Sequence, residues 1–254
     1  MRNTIVPVLF YLVSFLVFTS FNNAAEIKNT ANGLSKELDE VAVSNTLAES
    51  KATTSTISSV SALYTNMGLE KAGLAFDIFN MATKGYQRLV DQGLAAKSKY
   101  LSIVDFSQSS RKKRLYLLDM ENGKLAINTF VSHGKNSGLD MAKHFSNVPE
   151  SEKSSLGFYV TGQTYFGKHG LSLRLQGLEA GFNNNAERRA IVMHGAEYVN
   201  SSRVYSGYMG RSQGCPAVPQ HESSKIINMI KGGTVLFIYH PTEKYLKSSP
   251  VLNS

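Results

Sequence analysis

From Tyr100 onward the chain is written in short β-type runs. They are YLSIVDF (Tyr100–Phe106), RLYLLDM (Arg114–Met120), KLAINTFVS (Lys124–Ser132), GFYVTGQTYF (Gly157–Phe166), LSLRLQ (Leu171–Gln176), AIVMH (Ala190–His194) and TVLFIYH (Thr234–His240). Gly, Asn or Ser lies between them, and ENGK (Glu121–Lys124) carries the Asn-Gly signal of a tight hairpin. Runs this short bury their apolar side chains by pairing into a sheet that closes on itself or packs on a second layer. HESSKIINMIKGG (His221–Gly233) instead has helical spacing and ends on glycine. The reading is a mainly β domain over residues 98–242. An apolar content of 42%, with 13 Phe and 12 Tyr, suffices for its core.

The stretch before Tyr100 divides into three. Arg2 followed by the apolar run Ile5–Phe18 has the form of a secretory signal over residues 1–25, with a small residue for cleavage at Ala24 or Ala25. Export to the periplasm or cell envelope follows, with membrane contact only if that segment stays uncleaved. Residues 26–60 are rich in Ser, Thr, Asn and Ala and hold no aromatic residue, so they read as a flexible linker. Over residues 61–97, Leu63, Met67, Leu74, Ile78, Phe79, Tyr86, Leu89 and Val90 recur near helical spacing, with Gly68, Gly73, Gly85 and Gly93 as breaks. Two or three short helices packed on the β domain are expected there, and residues 243–254 read as a polar C-terminal tail.

Cys215 is the only cysteine, so an exported chain carries a thiol with no internal partner. Gly214 permits close backbone approach before it, and Pro216 fixes the chain after it. Arg211 brings a positive charge that favours the thiolate. Upstream, the apolar residues Ala190–Met193 run into His194-Gly195, which places His194 at the end of a buried strand, where a fixed base can sit.

HGA (His194–Ala196) followed by RSQGCPA (Arg211–Ala217) resembles the L,D-transpeptidase (YkuD-like) catalytic domain, and more closely its murein L,D-transpeptidase branch. The resemblance extends over SHGKNSG (Ser132–Gly138), SSLGFYVTG (Ser154–Gly162) and YFGKHGLSLRLQGLEAGFN (Tyr165–Asn183), roughly residues 98–242. Gln213 stands where the family pattern has a second histidine. The resemblance implies a β-sandwich or barrel-like catalytic domain with short N-terminal helices and one helix after the nucleophile. It implies cysteine-dependent acyl transfer on peptidoglycan stem peptides through a thioester, most simply forming 3-3 cross-links, with no cofactor. L,D-carboxypeptidase or hydrolase action at the same site is the alternative, and a non-catalytic peptidoglycan-binding protein is the alternative of another class. Cys215 and His194 would be catalytic. Gly214, Gln213 and Ser212 would shape the loop and oxyanion site, with the Gly214 and Cys215 N–H groups as oxyanion donors. The base would be oriented by a backbone carbonyl near Gly195.

Three histidines precede glycine: His133, His169 and His194. None has a second ligand at the helical spacing used for zinc, so no metal is expected. His133 and His169, with Tyr165, Arg211 and Gly195, are expected to line the substrate cleft; Arg211 or Lys168 would meet stem carboxylates. The formal charge of +8 suits an anionic envelope or polymer. The Lys and Arg residues are dispersed, without the cluster or motif of a nucleic-acid site.

Overall fold

The computed structural model describes residues 58–253. The expected signal and residues 26–57 of the expected linker lie outside the described residues, and the linker's last residues, 58–60, are helical instead. The domain is mainly β. Its strands are β1 (Tyr100–Asp105), β2 (Leu115–Asp119), β3 (Lys124–Thr129), β4 (Gly157–Gly167), β5 (Gly170–Gly177), β6 (Val192–Ala196), β7 (Ala217–Pro219) and β8 (Val235–Tyr239). They form one eight-stranded sheet in the order β3-β2-β1-β8-β4-β5-β6-β7. β1 pairs with β8 and β6 with β7 in parallel; the other neighbours are antiparallel.

The chain leaving β3 comes round to the opposite edge at β7. Ser132 N–H donates to Ala217 O (2.8 Å), Ser212 N–H to His133 O (3.0 Å), and Lys135 N–H to Ser212 O (2.8 Å). Gly134 and Ser212 form a parallel bridge. The sheet is therefore nearly closed, which removes the unpaired edge that an open sheet presents. The segment that completes the closure is the loop carrying Cys215.

Helix covers residues 58–66 (α1), Leu69–Ala72 (α2), Phe76–Asp91 (α3), Gln220–Ile230 (α4) and Glu243–Ser248 (α5). Met67, Leu69, Leu74, Ile78, Phe79, Ala82 and Leu89 belong to the same core as the strand residues Leu101, Ile103, Phe158 and Phe237. Gly85, expected to break a helix, sits inside α3. A Cβ there would lie 2.1 Å from Phe158 Cζ, so its missing side chain lets α3 seat on that ring. The helix cost of glycine, about 1 kcal/mol, is offset by burial of the Phe158 ring, which stacks on Phe237 at 4.2 Å.

Residues 243–254 are not a polar tail. α5 turns Tyr245 fully into the core, and Val251 is also buried. The anchor is Glu179, a buried carboxylate in the turn after β5. It accepts from Phe158 N–H (2.6 Å), Tyr245 Oη–H (3.0 Å) and Ser249 Oγ–H. Burial pushes its carboxyl up while these donors pull it back. The KYLKSSPVLNS composition is polar by count, but Tyr245 and Val251 are buried in the core and Leu246 packs against it.

Candidate active site

Cys215 lies two residues before Ala217, which pairs with His194 across β6–β7. Cys215 itself lies in the bend before β7, with its sulfur toward the N–H of Val192, two residues before His194. The half-buried thiol donates to Ala190 O at 3.7 Å, and Val192 N–H donates toward the sulfur. Burial pushes the thiol up from its ordinary range; the Val192 N–H, then Arg189 and Lys168, pull it back only in part. The expected depression by Arg211 is therefore corrected. The Arg211 guanidinium donates to Lys135 O (2.8 Å) and Gly138 O (3.3 Å) and covers the Tyr208 ring. The cations acting on the sulfur are Arg189 and Lys168.

His194 is buried at the strand end. Its Nδ1–H donates to Gly195 O at 2.8 Å, which leaves Nε2 as the acceptor and fixes the tautomer. The tip of the β4–β5 hairpin folds over it, and the His169 ring stacks on the His194 ring with centroids 4.1 Å apart and planes 16° apart. Burial pushes His194 below the ordinary imidazole range. The Gly195 bond opposes this, and positive charge at His169 and Lys168 adds to it. Burial thus favours the neutral form of both the Cys215 thiol and the His194 imidazole.

The loop around the thiol is held by side chains. Ser212 Oγ–H donates to Cys215 O (2.6 Å), and Ser212 Oγ accepts from Gly214 N–H (3.0 Å). Ser154 Oγ–H donates to Gly214 O at 3.2 Å, and Ser154 Oγ accepts from Gly134 N–H at 3.0 Å. Gly214 has φ +124, and a Cβ there would lie 2.9 Å from Lys153 O. Because the Gly214 N–H is engaged by Ser212, it is not a free oxyanion donor as expected. Ser212→Ala removes both loop bonds. It should lower acylation of the thiol about tenfold or more while costing about 1–2 kcal/mol of stability, measured by adduct formation and denaturant melts.

The remaining expected cleft residues separate. Tyr165 pairs with Ser172, which pairs with His194, so it shares the face of His194 two strands away, about 10 Å by strand spacing. Its ring carries the Arg174 guanidinium at 4.9 Å. His169 is exposed beside the base. Gln213 is exposed and accepts no loop-holding bond among the described residues. Gly195 is buried rather than lining a cleft. A Cβ there would lie 2.6 Å from Gln220 Oε1 and Ser223 Oγ, in the first turn of α4.

His133 is also corrected. It is fully buried, with Nδ1 accepting from Arg114 Nη2 at 2.8 Å and Nε2 3.3 Å from Gly138 O. Arg114 is itself fully buried and donates to Val131 O and Gln108 O. Burial brings Arg114 to about 9, still charged at neutral pH, and burial plus that charge brings His133 to about 4. The pair anchors the Gly134–Gly138 loop that closes the sheet onto Ser212. Since the unfolded imidazole titrates near ~6.5, the unfolded chain binds more protons between about pH 6.5 and 4. Stability from this site is complete above that window and is lost as pH falls through it, by about 3 kcal/mol. His194, His169 and His240 shift in the same direction. Urea melts at pH 7 and pH 4 should show the loss, and His133→Gln should reduce it.

The three histidines do not converge on a point. His133 is committed to Arg114, and His169 and His194 meet face to face, with ring planes rather than ring nitrogens opposed. Among the described residues no group of three or more His, Cys, Asp or Glu is placed to hold a metal ion. Sequence reasoning missed Arg189 and Ala190. Arg189 Nη1 donates to Ser146 O (2.7 Å) and Ser155 Oγ (2.8 Å), and Nη2 donates to Lys153 O (2.6 Å). The available signal was the basic pair Arg188-Arg189 immediately before the apolar run that ends in His194.

The sequence matches the L,D-transpeptidase catalytic domain family over residues 70–239, and the chain belongs to that family. The match starts within α2, so it includes α3 together with the sheet. No curated protein matches the chain at a significant level. Among solved structures it is similar to an L,D-transpeptidase from Mycobacterium smegmatis, with 13% identity over 56% of this chain and 59% of that one, at a TM-score of 0.35. Enzymes of the same description from Xylanimonas cellulosilytica (18% identity, 66% and 81% covered, TM-score 0.33) and Stackebrandtia nassauensis (18%, 71% and 76%, 0.33) are also similar.

Proposed function

We propose that this protein performs cysteine-dependent acyl transfer on peptidoglycan stem peptides outside the cytoplasm, where the signal-like residues 1–25 would send it. The observation that carries the reading is the β6–β7 register. It pairs Ala217, two residues after Cys215, with His194, whose Nδ1 is tied to Gly195 O and whose Nε2 is left to accept a proton. Cys215 attacks the carbonyl between the third, diaminopimelate-type residue and the D-Ala that follows it. His194 Nε2 accepts the thiol proton as the S–C bond forms, and then gives it to the departing D-Ala amine. The Cys215 N–H faces the developing oxyanion. The side-chain amine of a second stem attacks the thioester and loses its proton to His194. The thiol is restored and a 3-3 cross-link is made. Gln213, which cannot titrate, takes no part in proton transfer.

Burial of an uncharged thiol favours this general-base route over a resting thiolate–imidazolium pair. Iodoacetamide alkylation of Cys215 should therefore climb with pH up to and beyond the ordinary thiol pKa of ~8.5. A plateau already reached at pH 6 would contradict it. The function itself is tested by incubating the protein with disaccharide tetrapeptide and resolving the products. Released D-Ala with 3-3 dimers is expected; tripeptide without dimers would mean that water resolves the thioester, and neither product would refute acyl transfer.

A further inference from the structure

His169 sits at the tip of a tight hairpin. β4 ends at Gly167 and β5 starts at Gly170, and these two glycines pair with each other, so Lys168 and His169 make the whole connection. Gly170 has φ 76, a left-handed backbone that glycine adopts freely. Side chains at so short a tip ordinarily point into solvent. The His169 ring instead lies flat on the His194 ring, with centroids 4.1 Å apart and planes 16° apart. His169 is exposed, whereas His194 is only 3% exposed, so the outer ring helps to cover the inner one.

A flat ring needs more than one constraint, and His194 has one from its own strand. Its Nδ1–H bond runs to the carbonyl of the next residue, at 2.8 Å, which pins one atom of the ring and leaves its tilt open. A second ring laid flat on the first sets that tilt. The geometry points to His169 as a positioning residue: from the hairpin tip, its ring fixes the plane of the His194 imidazole and keeps water from one face of it. The inference rests on the acyl-transfer reading, in which His194 Nε2 receives the thiol proton. The surroundings of the pair make the hairpin tip the source of charge. The strand neighbours of His194 are Ser172 on β5 and Ala217 on β7, both uncharged, and Gly195 packs on Gln220 and Ser223 of α4. Arg174, further along β5, lies over the Tyr165 ring, and burial holds the Cys215 thiol toward its neutral form. Burial favours neutral His194 against the pull of the Gly195 bond, and positive charge at His169 and Lys168 adds to it. Burial and then Lys168 hold His169 itself below the ordinary imidazole range.

The test compares full-length wild type with His169→Phe, which keeps a flat ring, and His169→Ala, which keeps none. Two readouts are taken: the NMR titration of the His194 ring protons, and kcat and KM for D-Ala release from tetrapeptide stem across pH. Loss of the ring admits water to His194 and removes the positive charge that His169 carries at low pH. Both changes raise the pH at which the His194 imidazole gives up its proton. In His169→Ala the His194 titration and the acid limb of kcat/KM should therefore move to higher pH together, and kcat should fall about tenfold with KM nearly unchanged. His169→Phe removes the charge but restores the cover, so its acid limb should lie between the other two and its kcat within about threefold of the wild type. Melts of all three should nearly coincide, because His169 is exposed. An unmoved His194 titration in His169→Ala overturns the proposal. A His169→Phe as slow as His169→Ala, or a loss carried by KM, overturns it too, because either would make His169 a polar contact to substrate. If the wild type releases no D-Ala and forms no adduct, the acyl-transfer reading fails and the positioning role falls with it, whatever the titration shows.

Discussion

Cys215→Ser should fold as the wild type does and lose D-Ala release by on the order of 10³-fold or more. The half-buried side chain keeps its volume and still meets Ala190 O, so a melt should be nearly unchanged. What disappears is a polarisable nucleophile, and a serine in this setting has no comparable route to ionisation. His194→Ala should lose a similar share of turnover because the neutral thiol then lacks its proton acceptor, while slow alkylation at high pH survives. The double variant should be scarcely slower than Cys215→Ser, since groups that act as one unit do not add. Additive losses would indicate that the two residues work in separate steps.

Gly214→Ala should be the most damaging change that touches no reacting atom. At φ +124 an L side chain is strained whatever space surrounds it, and the new Cβ would press on Lys153 O at 2.9 Å. Lys153 O cannot yield easily, since Arg189 Nη2 holds it at 2.6 Å. The loop must move, and with it the Ser212 and Ser154 bonds that set the Cys215 backbone. A displacement of even ~1 Å can cost about 10²-fold in rate, so kcat for D-Ala release should fall by about that much. A melt should show about 1–3 kcal/mol lost. Gly214→Ala with full activity would mean the loop is not held as described.

The sheet was legible in the sequence because its strands alternate with turn residues and carry the apolar residues that strands bury. The place of His194 at the end of a buried strand was legible in the apolar run before it, and the orienting carbonyl at Gly195 was expected from the family resemblance. What was not legible depends on distant parts meeting. Nothing near His194 announces that His169 lies on its ring; the β4–β5 hairpin brings it there. Arg211 is close to Cys215 in sequence, yet its guanidinium turns to Lys135 O and Gly138 O, while the charge that acts on the thiol comes from Arg189, in the turn before β6. His133 looked like a cleft residue because it precedes glycine, and its burial against Arg114 follows from how the sheet closes. Gly85 read as a break because no local pattern shows that Phe158 fills the space beside it. Left-handed Glu150, Glu152 and Ala190 have no compositional signature at all.

A thioester at Cys215 is the most direct sign of cysteine-dependent acyl transfer. Full-length protein mixed with tetrapeptide stem and quenched in acid within one turnover should gain the mass of the stem less D-Ala. Digestion should place that mass on the peptide containing Cys215, and neutral hydroxylamine should remove it. The adduct should be absent from Cys215→Ser and delayed in His194→Ala. Undiminished D-Ala release by Cys215→Ser, or an adduct on any other residue, would contradict the assignment.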